Sequence, residues 1–336
     1  MWISHYGTLF GAPPTVTGTV WWVAPSAEYT VAGKTYNASN DNDGRSPQRA
    51  IRTITQAVTN ATADAGDVIV LLPGTHTVTA TQVVNKSGLS IIGAVGPRAY
   101  FPNGTPPGRL PVILTTTGTN DEVLSIQSAN TEVGWLTIRP TSAFSGIVFD
   151  VDAALPGLYF HDLFFDLETQ VVDIDTIGLD FGHRTNATGV AKISATATSV
   201  ASGYVERCTF WSGGAQGVGL EVATAWLHIK NCRFHSTAGT WATPMRFATN
   251  ADNCVVENCL WTTTATMSLA IDGTDANVVG GVIIANSNFC ISSAATNLSA
   301  DSIRGFASTE VVVSDCYQVS NANGTSSVAA ISRMLG

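Results

Sequence analysis

The 336-residue chain has few charged side chains. Asp, Glu, Lys and Arg make up only 12% of it, about half of the ~25% usual in globular proteins. The 16 basic residues form no patch and the formal net charge is −9, which argues against binding to DNA or RNA. Thr, Ser, Asn, Gly and Ala take the place of the charges, and this composition suits a rigid, β-rich protein at an extracellular or virion surface.

The chain also lacks a long apolar run. No stretch approaches the ~20 apolar residues of a membrane-spanning helix, so we expect no insertion into a membrane. The first five residues have neither the basic start nor the continuous apolar segment of a secretory signal. We therefore expect synthesis in a host cytoplasm and departure from it without such a signal.

What the chain does have is a repeat. Six eight-residue stretches share the order apolar, variable, apolar, variable, usually Asn or Asp, then Cys or another small or apolar residue, variable, and usually aromatic. They are residues 158–165, 203–210, 227–234, 254–261, 282–289 and 311–318, with 131–138 as a weaker earlier copy. The sixth position recurs in steps of 27, 45, 24, 27, 28 and 29 residues, at Leu136, Leu163, Cys208, Cys232, Cys259, Ser287 and Cys316.

A period of about 20 to 50 residues is typical of a solenoid, and the period-two alternation makes its unit a β-strand. A further short strand follows each repeat, so we predict an all-β, right-handed parallel β-helix with coils about 4.8 Å apart. A β-propeller is the alternative, but its blades run about 40 to 50 residues; a β-sandwich does not explain the repeated phrase. The 45-residue step predicts an insertion at 183–202.

The six cysteines lack the spacing of a zinc site. Zinc sites use close Cys-x-x-Cys pairs or His at ligand spacing, and Cys254 and Cys259 are five residues apart. Four cysteines share one repeat position, so we expect them to stack in the core as small apolar residues. The sequence predicts no metal site and no cofactor.

The N-terminal part predicts a helix that covers one end of the solenoid. Ser46 can cap it, with Pro47 at its first position, and apolar residues then recur at helical spacing at Ala50, Ile51, Ile54, Ala57 and Val58. Such a helix, near 46–61, would cover strand edges that otherwise invite aggregation. The predicted organisation is an aromatic arm and leading strand (1–30), the β-helix (31–320) and a C-terminal cap (321–336).

Three stretches in this region point to a known family. They are Asn-Asp-Asn-Asp-Gly-Arg-Ser-Pro at 40–47, Ala-Ile-Arg-Thr-Ile-Thr-Gln-Ala at 50–57, and Gly-Asp-Val-Ile-Val-Leu-Leu-Pro-Gly at 66–74. They resemble the opening of the pectate-lyase-like parallel β-helix superfamily, and most of all its branch in tailed-phage spikes and other virion surface proteins. The resemblance covers roughly residues 20–320 and implies the fold more than an activity, because many functions occur on this scaffold.

Outward residues of stacked strands form columns on the surface. One predicted column is Glu132, Tyr159, Tyr204, His228, Val255, Ile283 and Val312. Its rings, Tyr159, Tyr204 and His228, are candidates for stacking on the sugars of a host-surface glycan. Its apolar end, Val255, Ile283 and Val312, predicts the interface of a homotrimer, unless Thr- and Ala-rich loops cover it. A neighbouring column, Glu206, Lys230 and Glu257, alternates in sign like a salt-bridge ladder.

A second predicted column holds the candidate catalytic residues. It reads Ser125, Val148, Asp180, Glu221, Arg246 and Ala270. On adjacent coils Asp180 and Glu221 would lie about 5 Å apart, which suits a nucleophile and an acid/base on a glycosidic bond; Arg246 would neutralise a uronate for β-elimination. The alternative is an ordinary surface ion pair between Glu221 and Arg246, which contributes little to stability. Weaker signals for a base, an anion contact or a calcium site come from His183, Arg184, Asp173 and Asp175.

Three functions remain open at this point. The first is a non-enzymatic, adhesive surface protein of a tailed-phage-like virion, as a homotrimeric head decoration or a tail-associated spike or fibre. In it Trp2, Tyr6 and Phe10 of the N-terminal arm would dock on other virion proteins, although this region also fits a plain strand at 20–23 that packs on the first coil. The second function is a polysaccharide depolymerase, and the third is a cellular carbohydrate-binding adhesin.

Overall fold

The chain folds into a right-handed parallel β-helix, as the repeat predicts. The computed structural model describes residues 18–95, 112–116, 123–139, 147–151, 155–166, 171–173, 179–184, 202–212, 216–222, 225–237, 240–247, 251–263, 266–267, 269–273, 281–290, 303–306, 311–320 and 327–334. Within these ranges no helix is long and apolar enough to cross a membrane.

The described strands are short and follow one another closely along the chain. In chain order they are β1 (Val20–Val23), β2 (Glu28–Val31), β3 (Lys34–Asn37), β4 (Val68–Leu71), β5 (Gly74–Val78), β6 (Gln82–Val84), β7 (Ser90–Gly93), β8 (Val112–Thr116), β9 (Leu124–Ile126), β10 (Glu132–Gly134), β11 (Thr137–Arg139), β12 (Ile147–Val151), β13 (Pro156–His161), β14 (Phe164–Asp166), β15 (Val171–Asp173), β16 (Leu179–Arg184), β17 (Ser202–Glu206), β18 (Thr209–Ser212), β19 (Gln216–Val222), β20 (Leu227–Lys230), β21 (Arg233–Ser236), β22 (Thr240–Phe247), β23 (Cys254–Glu257), β24 (Leu260–Thr263), β25 (Thr266–Met267), β26 (Ile271–Asp272), β27 (Val282–Ala285), β28 (Asn288–Cys290), β29 (Ile303–Arg304), β30 (Val311–Ser320) and β31 (Ser327–Met334).

These strands stack into three ladders that run along the solenoid. The first ladder is β1, β4, β7, β10, β13, β17, β20, β23, β27 and β30, and every pairing in it is parallel. The second ladder is β5, β8, β11, β14, β18, β21, β24, β28 and the end of β30. The third ladder is β6, β9, β12, β16, β19, β22, β26 and β29. At the last coil β31 pairs antiparallel with β30.

Alternate residues of the first two ladders point inward and stack like on like. The second ladder contributes a column of rings, Phe165, Phe210, Phe234, Trp261 and Phe289. Neighbouring ring centroids are 4.6 to 5.1 Å apart, and the angles between neighbouring ring planes are 5° to 19°. All five rings are fully buried, so each stabilises the fold by about 1.5–3 kcal/mol through burial alone.

The cysteines of the repeat form a buried column, as predicted. Cys208, Cys232, Cys259 and Cys316 are all free thiols in the core, and their sulfurs lie 3.3 to 3.8 Å from backbone carbonyl oxygens. Burial raises the pKa of the Cys232 and Cys259 thiols well above the ordinary value. They are therefore unreactive apolar residues rather than nucleophiles.

The Asn or Asp of the repeat has a backbone role. The residue at this position joins the first ladder to the second and has a positive φ at Trp135, Asp162, Arg207, Asn231, Asn258, Asn286 and Asp315. Asn and Asp tolerate this left-handed conformation better than most residues. There the N–H of Asn231 donates to the carbonyl of Glu257 at 3.0 Å on the next coil, which continues the ladder through the bend.

The capping helix is shorter than predicted and begins later. Ser46 precedes only a 3-10 turn, Pro47–Arg49, because Ala50 is extended with ψ 145°. Ile51 then pairs in parallel with Val23, and a residue that joins the edge of a sheet cannot also be helical. The α-helix α1 covers Ile54–Asn60, and its cap is Thr53.

The third ladder contains one reversal. β16 lies between β12 and β19 but is antiparallel to both, because it is the second strand of a hairpin with β15. Asp180 lies opposite Glu221, although on a reversed strand rather than on a stacked parallel coil. Most of the predicted insertion, residues 185–201, lies outside the described residues.

Candidate functional site

The outward side of the first ladder carries the predicted column of rings. Strand register places Glu132, Tyr159, Tyr204, His228, Val255, Ile283 and Val312 in one line. The neighbouring outward column includes Gly134, His161, Glu206, Lys230 and Glu257. The two columns together form the surface that we call the ring face.

A buried histidine lies near the N-terminal end of the ring face. His161 points away from the core yet is only 1% exposed. Its Nδ1 lies 2.8 Å from Asp162 Oδ2, and its Nε2 lies 2.9 Å from Glu132 Oε1 on the preceding coil. The imidazole occupies space that Gly134 leaves open, because a Cβ added to Gly134 would lie 2.5 Å from the ring.

Ion pairs continue from this histidine to the following coils. Arg207 donates to both carboxylate oxygens of Asp162, at 3.0 and 2.8 Å, and also pairs with Glu206. Lys230, on the next coil, lies 3.6 Å from Glu206. On the other side the hydroxyl of Ser90 donates to Glu132 at 2.6 Å, so the network crosses five successive strands of the first ladder.

This environment shifts several pKa values. Burial by itself would lower the pKa of His161, but hydrogen bonds to Asp162 and Glu132 and the charges of these carboxylates raise it above the ordinary value. Burial would raise the pKa of Glu132, but hydrogen bonds from His161 and Ser90 hold it below the ordinary value. Burial raises the pKa of Tyr159 to about 12, so its hydroxyl remains a hydrogen-bond donor.

The exposed part of the ring face suits a ligand with both apolar and polar surface. Tyr204 is 48% exposed, the Nζ of Lys230 lies 5.2 Å from its ring centre, and the ring of His228 lies 5.6 Å away on the next coil. His228 in turn lies 3.3 Å from Glu257. An aromatic face flanked by a cation and by hydrogen-bonding groups can contact both the C–H and the hydroxyl groups of a sugar.

The predicted catalytic column differs from its expected register and exposure. Asp150 lies opposite Ser125, and Asp272 opposite Arg246, in place of the predicted Val148 and Ala270; a shift of two residues keeps the same side of a strand. Glu221 is only 1% exposed, and its Oε2 lies 3.5 Å from Arg246.

The other polar candidates near this column have no described side-chain geometry. The side chains of Asp180, Asp173, His183 and Arg184 lie outside what the structure describes, as does all of Asp175. The catalytic assignment of Asp180, Glu221 and Arg246 stays a prediction.

The predicted interface lies at the C-terminal end of the ring face. Ile283 and Val312 are 46% and 52% exposed, whereas Val255 is half-buried. Trimer formation through this surface stays a prediction. The arm residues Trp2, Tyr6 and Phe10 lie outside the described residues.

Sequence reasoning missed the network around His161. The available signal was the alignment of His161 with Gly134, since a glycine beside an outward ring marks a close approach. The contact between His161 and Glu132 is diagonal, between residues two positions apart on adjacent strands, and such contacts depend on the actual register.

No protein-family model matches the chain, and no curated protein matches it. Among solved structures it is similar to a rhamnogalacturonan lyase (11% identity, 93% of this chain and 79% of that chain, TM-score 0.39). It is also similar to a pectate lyase (14% identity, 93% of this chain and 82% of that chain, TM-score 0.35). A pectin methylesterase from Erwinia chrysanthemi is similar as well (10% identity, 93% of this chain and 85% of that chain, TM-score 0.34). Scores this low carry no argument about activity.

Proposed function

We propose that the protein binds a polysaccharide along its ring face, as a trimeric surface component of a tailed-phage-like particle. The observation that carries the binding proposal is the exposed ring of Tyr204, with Lys230 and His228 beside it on the next coil. Successive strands of a ladder lie about 4.8 Å apart, so groups on neighbouring coils can contact successive parts of one extended chain. A rigid ladder holds them in position before the ligand arrives, which lowers the entropy cost of binding.

The chain offers a matched control for this proposal. Tyr204 and Tyr317 have nearly equal exposure, 48% and 47%, but Tyr317 belongs to the second-ladder part of β30, opposite Asn288. Binding of the purified protein to an array of bacterial surface polysaccharides would identify a ligand. We expect Tyr204→Ala to weaken its Kd by about tenfold or more, corresponding to ~1.4 kcal/mol, and Tyr317→Ala to leave it unchanged. Equal Kd values for the two variants would refute the ring-face assignment.

The virion setting rests on the sequence resemblance and on the low charge of the chain. Supporting trimer formation, Ile283 and Val312 expose apolar surface on adjacent coils, and contiguous exposed apolar surface marks interaction sites. We expect Ile283→Asp to convert trimers to monomers in analytical ultracentrifugation, while Val83→Asp, at an exposed valine on the third ladder, has no effect. Immunogold labelling of particles from the source tests the location. Absence of label from the particles would contradict it.

A polysaccharide depolymerase is the second candidate. The pairing of Asp180 with Glu221, together with the Glu221–Arg246 contact, favours it. Purified protein that shortens a bound polysaccharide, with loss of cleavage in Asp180→Ala and Glu221→Ala, would support this function. Undiminished cleavage in both variants would exclude these residues as the catalytic site.

A further inference from the structure

We propose that His161 is a positioning residue, whose imidazolium is held between Glu132 and Asp162 and fixes the ring of Tyr159 on the ring face. The inference concerns how the ring face is built, and its consequence for ligand binding rests on the proposed polysaccharide function. Three observations carry it: the hydrogen bonds of the imidazole, the order of charges around it, and its contact with Tyr159.

The hydrogen bonds require two protons on the ring. Nδ1 and Nε2 each lie within 2.9 Å of a carboxylate oxygen, and ionised carboxylates only accept hydrogen bonds. A neutral imidazole has one N–H, so one nitrogen lone pair would face a carboxylate oxygen in a buried position. That nitrogen and the carboxylate oxygen facing it would then have no proton between them, and a buried hydrogen bond left unmade costs folding free energy. Only the imidazolium donates to both partners.

The order of charges also favours the imidazolium. The charged and titratable groups around His161 come from its own strand, the bend after it and the coils on either side: Glu132, Tyr159, Asp162, Glu206 and Arg207. Extended to Lys230, the linked groups run Glu132, His161, Asp162, Arg207, Glu206 and Lys230. With His161 protonated the signs alternate along this path and cancel. With neutral His161, Glu132 would lose its cationic partner, while Asp162 would keep Arg207.

The contact with Tyr159 links this charge to the ring face. The two rings stack with centroids 4.4 Å apart and planes 23° from parallel, which lets the imidazolium interact with the electron-rich face of the phenol. The Tyr159 hydroxyl also donates to Glu206 at 3.1 Å. The network therefore holds Tyr159 at both its ring and its hydroxyl. Loss of the proton weakens the first contact and removes the charge balance that supports the second.

The direction of the pH dependence follows. A histidine whose folded-state pKa is raised keeps its proton at and below the ordinary pKa and loses it as the pH rises through the raised value. Tyr159 is therefore held in place while His161 keeps its proton and becomes freer as the pH rises through the raised pKa of His161. Polysaccharide affinity should fall over the same pH range.

The test follows His161 and Tyr159 together by NMR. Protein with ¹⁵N-labelled histidine and ¹³C-labelled tyrosine is titrated from neutral to alkaline pH, and His161→Gln and Tyr159→Phe assign the two signals. We expect both nitrogens of His161 to be protonated at neutral pH and the Tyr159 signal to move with the same midpoint. Glu132→Gln, which keeps the histidine, should lower that midpoint. His235→Gln, at a half-buried histidine on the second ladder, should leave it unchanged.

The outcomes separate this inference from the proposed function. The inference would be overturned if His161 were neutral at neutral pH, or if the Tyr159 signal did not change as His161 titrates. Polysaccharide affinity is measured over the same pH series in wild type and His161→Gln, and we expect the wild-type decline to disappear in the variant. If no polysaccharide binds at any pH, the proposed function fails, while the NMR midpoints still decide whether His161 positions Tyr159.

Discussion

His76 offers a sharp test of the electrostatics of this fold. It lies on β5 and is buried, and its Nε2 donates to the carbonyl oxygen of Leu72 at 2.8 Å. Burial lowers its pKa from 6.5 to about 4, against a smaller opposing effect of that hydrogen bond. The folded protein thus keeps His76 neutral over a pH range in which the unfolded chain protonates it.

The sign and size of the effect follow from this difference. Below about pH 6.5 the unfolded state binds a proton that the folded state takes up only near pH 4, so folding stability is present above this range and is lost as the pH falls through it. A tenfold difference in proton affinity is worth about 1.4 kcal/mol, and the shift from 6.5 to about 4 therefore corresponds to about 3 kcal/mol. Most of this loss is complete by about pH 4.5.

Urea unfolding of wild type and His76→Gln near neutral pH and near pH 4.5 isolates this contribution. Gln can donate to the same carbonyl but does not titrate in this range. We expect wild type to lose about 2 kcal/mol more than the variant on acidification, because the carboxylates that also titrate are common to both proteins. Parallel losses in the two proteins would refute the reasoning, and would mean that His76 is hydrated or already charged in the folded state.

Three further predictions concern stability in urea or heat. Phe234 stacks on two rings, at 4.7 and 5.1 Å, and Phe289 stacks on one described ring, at 4.6 Å. Phe234→Leu should therefore lower the free energy of unfolding by about 0.5–1.5 kcal/mol more than Phe289→Leu does. Equal losses would contradict a role for stacking. Gly134→Ala should cost about 1–3 kcal/mol through overpacking in wild type and much less in a His161→Ala background, whereas additive costs would mean that the two residues do not compete for space. Thr53→Ala should cost about 1 kcal/mol by removing the cap of α1, and an unchanged Tm would mean that the cap hydrogen bond does not stabilise the helix.

Much of the fold follows from the repeated phrase. Alternation assigns each residue to the core or to the surface, and the fixed offset between copies then aligns like with like. This is why the column from Glu132 to Val312 and the buried column from Cys208 to Cys316 could be predicted correctly. Position-by-position alignment is sufficient where coils have nearly constant length.

The predictions were wrong where alternation alone does not set the register or where the chain direction changes. On the third ladder Asp272 rather than Ala270 lies opposite Arg246, because a slip of two residues preserves the alternation and both alignments therefore fit the sequence pattern. The antiparallel direction of β16 comes from its hairpin with β15. Ala50 and Ile51 fit a helical pattern, but pairing of Ile51 with the edge of the first coil overrides that local preference.

The sequence by itself therefore determined the solenoid, its inward columns and the membership of the outward column on the first ladder, because these depend only on period and alternation. The tertiary structure decided which outward groups touch. His161 meets Glu132, Asp162 and Tyr159 because Gly134 leaves room for its ring and the coil register brings the carboxylates to its two nitrogens. Contacts of this kind run diagonally between coils, and small shifts in register or bend geometry make or break them.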